Sequence, residues 1–277
     1  MVQPEFSVRF WGVRGSIACP GQATARYGGN TSCVEIRCGE RVLVFDGGTG
    51  LRVLGKALGA GGRAVDIDLF FSHTHLDHIE GIPFFAPCHM AQNHVRIWAG
   101  HLLPEHTVKE VLKKMMSAPL FPVPVEVFKA GMEFRDFTAG ETLRPHPGIE
   151  IVTAPLNHPN GATGYRVEFA GKSVAYITDN EHRPGPTETA VLKLMHHADI
   201  AIYDCTYSEA EYPAHEGWGH STWEEGVRLA SAAGAKQFVI FHHDPDHDDA
   251  AMDAVAAAAE KRRPGTLVAQ EGLLLRP

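Results

Sequence analysis

The stretch FFSHTHLDHIEG, residues 70–81, places His73, His75, Asp77 and His78 in six consecutive positions behind an apolar, aromatic run. His73 and His75 lie two apart, so on extended chain they project to one side, while Asp77 and His78 follow a turn that opens an expected helix. One pair can hold one metal and the second pair another. Imidazole and carboxylate suit zinc, and also manganese or iron, with zinc bonds of roughly 2.0–2.2 Å to nitrogen and oxygen. Two ions ~3.5–4 Å apart need more donors than this motif offers, including a bridging carboxylate. Further His or Asp residues are therefore expected at other strand ends.

The rest of the chain supplies them. His158 follows the strand-like IEIVTAPL, Asp179 ends KSVAYITD and His242 ends QFVIF, each a polar residue interrupting an apolar strand. These strand ends are expected to converge on one rim. Asp204 in IAIYDCTY ends another strand and is placed to pair with His220 of GWGHSTW, residues 217–223. Ser221 and Thr222 read as helix-capping residues, with Glu224 and Glu225 in the first turn behind them.

Around these motifs the chain alternates between strand and helix signals. FSVRFW, SCVEIRC and RVLVFD form an expected meander separated by glycine-rich turns. Helices are expected over 49–62, 107–117, 187–197, 222–233 and 249–262, and TLVAQEGLLLR reads as one closing strand. The proline-rich APLFPVPVEVF cannot be regular helix and is expected to cover the surface. Strands first with helices interspersed, then the same order again, imply two sheets packed face to face with helices outside, an αββα sandwich in one domain over 1–277.

Composition excludes several classes. With 44% hydrophobic and 21% charged residues the chain is of globular type, and no apolar run approaches the ~20 residues that cross a bilayer. The N-terminal MVQPEFSVRFWG alternates like a strand and lacks the features of a secretory signal, so a cytoplasmic location is expected. Five scattered cysteines without CxxC spacing suggest neither a disulfide framework nor a thiolate zinc site. A formal net charge of −8 and the lack of a long Lys/Arg run argue against sequence-independent gripping of a nucleic-acid backbone. A small anionic substrate held by metals stays compatible with this charge.

The arrangement resembles the metallo-β-lactamase-fold metallohydrolases, whose signature HxHxDH is matched in full at residues 73–78. The resemblance implies two divalent ions, zinc foremost with manganese or iron as alternatives. It implies one metal on His73, His75 and His158, a second on Asp77, His78 and His242, and Asp179 bridging. It also implies that Asp46 in VFDGGTG orients a ligand histidine, as outer carboxylates often do. Seven ligands without cysteine resemble the phosphodiesterase branch. The HST segment is similar to that of tRNA 3′-processing endonucleases and cyclic phosphodiesterases, which implies that His220 contacts phosphate or acts as general acid. Asp204 matches the acidic residue of a similar segment in those endonucleases. Asp77 and His220 are thus the catalytic candidates.

WGVRGS, GGNTSC, PLFPVP and FHHDPDHDD together resemble a bacterial group related to phosphoribosyl cyclic phosphate and cyclic-nucleotide phosphodiesterases. On that resemblance Arg14 and Asn30 touch substrate and the protein is a homodimer. The expected activity is hydrolysis of a small cyclic phosphodiester by metal-activated hydroxide, with His220 protonating the leaving alkoxide. A tRNA 3′-processing endonuclease is the first rival, weakened because the segment from His158 to Asp179 reads as a tight hairpin rather than a basic arm. A lactonase or thioesterase is a second, since the same chemistry attacks carbonyl carbon, and a non-catalytic binding protein a third.

Overall fold

The structure is a computed structural model that describes residues 5–183 and 185–277. The N-terminal strand reading therefore applies from Glu5 onward, and residues 1–4 of that stretch lie outside the described residues. The first sheet is built from β1 (Phe6–Gly12), β2 (Cys33–Cys38), β3 (Arg41–Phe45), β4 (Asp66–Phe71), β5 (His94–Ala99) and β6 (Gly131–Asp136). The second comprises β7 (Thr142–His146), β8 (Ile149–Leu156), β9 (Ala162–Phe169), β10 (Lys172–Ile177), β11 (Ile200–Asp204), β12 (Gln237–Phe241) and β13 (Leu267–Val268). A last strand, β14 (Leu274–Leu275), returns to the free side of β1, so the orders are β14-β1-β2-β3-β4-β5-β6 and β13-β12-β11-β10-β9-β8-β7.

Pattern explains the layers. The central strands β4, β11 and β12 are almost continuously apolar and buried, as parallel strands covered on both faces must be. Between the sheets lie Val8, Phe10, Phe45, Phe70, Tyr165, Val167, Tyr176, Ile202 and Phe241. On the outer side of the first sheet, α1 (Gly50–Gly59) and α3 (Val108–Met115) close a second core through Leu51, Leu54, Val108 and Leu112. Outside the second sheet, α4 (Pro186–Met195), α5 (Trp223–Ala232) and α6 (Asp249–Arg262) close a third. The result is the αββα sandwich expected from the sequence.

Several helix starts follow from local chemistry. Thr107 and Glu110 form a reciprocal capping box at α3, Thr222 accepts the Glu225 N–H at α5, and Asp248 accepts the Ala251 N–H at α6. One expectation is corrected. TLVAQEGLLLR is not one strand: after β13 the chain turns at Gly272, with φ of 85°, and leaves the second sheet for the first. APLFPVPVEVF is irregular and mostly exposed apart from one tight turn at Val125–Val127, as expected, while the chain on either side of it adds α3, β5, β6 and β7. Short, interrupted strands carry too little periodicity to stand out beside prolines.

Strand direction positions the site. β3 and β4 run parallel, as do β10, β11 and β12, while β8 shares their direction across the antiparallel β9. Their carboxyl ends therefore open on common edges, where ligands of α/β sheets collect.

Candidate metal centre

Each site residue leaves its strand in a way that aims it at this edge. Asp46, Asp179 and His242 have φ of 62°, 57° and 63°, in the left-handed region that costs a non-glycine residue energy. Just beyond β3, β10 and β12, this backbone kink turns each side chain off the strand's in-and-out alternation. His73 and His75 follow β4, and a single helical turn, α2 (Leu76–Ile79), carries Asp77 and His78. Glycines give the approach. A Cβ on Gly15 would sit 2.4 Å from the His242 ring, and one on Gly219 only 2.3 Å from His158 Nδ1.

The side chains gather into two donor sets that share one carboxylate. In the first, donor atoms of His73, His75 and His158 all lie within 4.8 Å of one another, with His158 Nε2 3.1 Å from His75 Nδ1. Asp179 Oδ1 faces this set, 3.8 Å from His73 Nε2 and 3.7 Å from His158 Nε2. In the second, Asp77 Oδ2 lies 3.1 Å from His78 Nε2 and 3.6 Å from His242 Nε2. Asp179 Oδ2 faces it, 3.2 Å and 3.3 Å from the same two nitrogens. Donors bound at roughly 2.0–2.2 Å to one tetrahedral ion stand about 3.3–3.6 Å apart, close to these spacings.

The donor chemistry fits divalent cations. Asp46, Asp77, Asp179 and Asp204 are all buried, yet no Lys or Arg pairs with them among the described residues. Buried carboxylates need a cation or a metal. His73 Nε2 is buried without any hydrogen-bond partner and points at the first set. Burial holds the His73, His75 and His158 imidazoles below their ordinary range, which is the neutral ligand form. His78 shows the opposite: burial opposes its charge, but Asp77, Asp179 and Asp46 raise it well above the ordinary value.

Behind these atoms, further groups fix the rings. Asp46 Oδ2 lies 2.9 Å from His78 Nδ1 and also accepts from Tyr176 Oη and Ser72 Oγ. His73 Nδ1 meets Ser72 Oγ, His158 Nδ1 donates to the Gly219 carbonyl, and His242 Nδ1 meets Thr206 Oγ1. Each bond selects the tautomer whose other nitrogen faces the centre.

His220 sits against both sets. Its ring stacks on His242 at 4.9 Å between centroids and lies 5.4 Å from that of His158. Nδ1 donates to Asp204 Oδ2 at 2.9 Å, leaving Nε2 as the atom able to meet a substrate. Burial disfavours the imidazolium, but Asp204 outweighs it and raises His220 to about 9. Asp204 is lowered in turn, against its own burial, by His220.

The structure brings His73, His75, Asp77, His78, His158, Asp179, His242, Asp46, Asp204 and His220 together, and leaves Arg14 and Asn30 out. Arg14 is wholly buried, and its guanidinium donates to the carbonyls of Gly28, Asp244 and His247. It clamps two loops, and a substrate has no access to it. Asn30 spends its amide and backbone N–H on Glu271. These contacts give both side chains partners within the fold, and the glycine-rich loops bring backbone to the centre. What sequence reasoning missed is that backbone contribution, with the Ser16 N–H donating to Asp77 Oδ2 at 2.8 Å. It also missed His101, which with His73 and His75 lines an adjoining cavity of about 430 Å³.

The fold and this centre define a class. The chain belongs to the beta-lactamase superfamily, whose domain matches residues 41–243, and its fold is the metallo-β-lactamase fold. Proteins that it is similar to include hydrolases of this fold.

Particular relatives are more distant. Ribonuclease Z of Kineococcus radiotolerans is 34% identical over 97 residues, 34% of this chain and only 29% of that protein. Ribonuclease Z of Haloarcula marismortui is 23% identical over 293 aligned residues, 88% of this chain and 90% of the relative. Among solved structures, the metallo-beta-lactamase fold protein YhfI from Bacillus subtilis superposes with a TM-score of 0.73 at 18% identity, covering 98% of this chain and 99% of that one. A diphosphatase from the PhnP family gives 0.70 at 20% identity, covering 98% and 96%. At such identities the structural matches speak for the fold alone.

Proposed function

We propose that the protein is a dimetal phosphodiesterase that hydrolyses a small cyclic phosphodiester, a cyclic nucleotide or phosphoribosyl cyclic phosphate. The observation that carries this reading is the Asp204–His220 pair set against two donor groups that share Asp179. His73, His75 and His158 would hold one ion, Asp77, His78 and His242 the other, and Asp179 both. The all-imidazole and carboxylate donor set suits zinc. When bound, such ions neutralise phosphoryl oxygens and lower the pKa of a coordinated water.

The chain's own groups do the rest. His220, held by Asp204 with Nε2 outward, is placed to protonate a departing alkoxide, a contribution of roughly 10²- to 10⁴-fold. Asp77, fixed by the Ser16 N–H, keeps one carboxylate oxygen turned to the second donor set. His158 is locked by Gly219, one residue before His220, so the proton donor and the first donor set are tied into one rigid unit.

Cleavage of precursor tRNA is the second reading, favoured by the relatives named ribonuclease Z. Against it, β9 and β10 are joined by a tight turn at Ala170 and Gly171, and the chain carries a formal net charge of −8. Long basic surfaces are what a polyanionic backbone requires. Incubating one metal-loaded preparation with a cyclic nucleotide and with a precursor tRNA separates the two. Turnover of the cyclic ester supports the first reading, and cleavage of the tRNA alone overturns it.

A further inference from the structure

The loop that carries His220 also leaves a large aromatic side chain in water. Trp218 is 61% exposed, two residues before His220. Its loop is tightly held on every side. The Trp218 N–H donates to the His215 carbonyl, the Gly219 N–H to Glu181 Oε2 at 2.9 Å, and the Gly219 carbonyl accepts from His158. Gly217 and Gly219, with φ of 90° and 89°, shape the turn on either side of the indole.

An aromatic ladder joins this indole to the centre. The Trp218 ring packs edge-on against His215 at 5.0 Å and 89°, His215 stacks on Tyr207 at 4.2 Å and 15°, and Tyr207 meets His220 at 6.1 Å. Two more apolar side chains border the same charged cluster: Leu76 between His75 and Asp77, 67% exposed, and Ile17 beside Ser16, 62% exposed. A substrate that is only sugar and phosphate has nothing to offer these surfaces. A nucleobase does, because its flat face stacks on an aromatic ring irrespective of base identity.

Resting on the phosphodiesterase reading above, we propose that Trp218 is a stacking platform that selects phosphodiesters carrying a nucleobase over those without one. The indole meets His215 at right angles, which limits the rotamer freedom lost on stacking, and 61% of the side chain is exposed to solvent.

Binding, rather than turnover, tests this most cleanly. Calorimetric titration of the metal-loaded protein with adenosine 5′-monophosphate and with ribose 5-phosphate is expected to show roughly tenfold tighter binding of the base-bearing probe, the worth of one stack. W218A is expected to abolish that preference at unchanged metal content, and W218F to keep most of it. Equal affinities for the two probes in the native protein, or a preference that survives in W218A, would overturn the proposal. Assays of the same proteins keep the two readings apart. If no phosphodiester is hydrolysed but the preference still depends on Trp218, the hydrolytic reading falls and the platform stands. If cyclic nucleotides are hydrolysed with the same KM by native protein and W218A, hydrolysis stands and the platform falls.

Discussion

Asp68 and Asp179 are both buried carboxylates at the strands of this sandwich, with 1% and 2% of their surface exposed, but their surroundings are opposite. Asp68 accepts from Arg96 Nε at 2.8 Å, Trp98 Nε1 at 2.9 Å and His146 Nε2 at 2.7 Å, so a permanent cation and two further donors satisfy it. Asp179 is ringed by His73, His78, His158 and His242, none closer than 3.2 Å, and its one short hydrogen bond comes from Thr178 Oγ1 at 2.7 Å. The first cluster is closed by protein atoms. The second has donors in excess and no fixed cation, which is how a metal centre differs from a structural ion pair.

Cavity size alone would have pointed elsewhere. A larger hollow, about 850 Å³, lies at the far end of the second sheet among Arg144, Arg166, Lys172 and Lys236. Each of those cations is already paired, with Glu150, Glu168 or Asp199. The smaller hollow beside His73 and His75 adjoins unsatisfied donors, and chemistry rather than volume marks the site.

Substitutions at the two aspartates should separate their roles. Asp179→Ala is expected to have the largest effect, lowering turnover by about a thousandfold or more through loss of the shared donor, since metal stabilisation is worth several kcal/mol. Circular dichroism should show the fold retained, and chelation should no longer lower its Tm. His220→Ala should lower kcat by roughly 10²- to 10⁴-fold with metal content unchanged, as measured by steady-state kinetics beside metal analysis. Asp68→Asn should do the reverse, leaving metal content intact while costing about 1.5–3 kcal/mol in urea unfolding, the worth of charge-assisted hydrogen bonds, since Arg96 keeps Asp66 as a partner.

The Asp68 effect has a defined pH dependence. Burial would raise this carboxyl, but Arg96, His146 and Trp98 outweigh it and hold it below the usual carboxylate range. A lowered folded-state value contributes stability that is present above the unfolded value of about 3.9 and lost as pH falls through the folded one. Unfolding curves of native protein and Asp68→Asn should therefore converge below about pH 4. The smallest effect is expected from Asp46→Asn, which touches His78 from behind: metal affinity falls by about 10- to 100-fold while both ions still bind at saturation, read by titration with a chromophoric chelator.

Much of this contrast was legible in the sequence, because HTHLDH and the polar residues ending apolar strands report directly on side chains at strand ends. Asp204 could be placed for the same reason, whereas the roles of Asp46 and His220 came from the family resemblance. Less legible was anything carried by backbone. The Ser16 N–H on Asp77, the Gly219 carbonyl on His158 and the left-handed turns at Asp46, Asp179 and His242 depend on tertiary approach. No residue type encodes them. Arg14 was named on a family resemblance of its loop, and its burial beneath the 244–247 loop is a property of the assembled fold. His101 was missed because it stands alone, with no spacing to link it to the motif it approaches.

The central claim is that the Asp179-centred cluster holds two divalent ions. Elemental analysis of metal-replete, desalted protein tests it directly. Two equivalents per chain are expected for the native protein, with a clear loss in a folded Asp179→Ala variant, whereas one or none in the native protein, or an unchanged content in the variant, would contradict it.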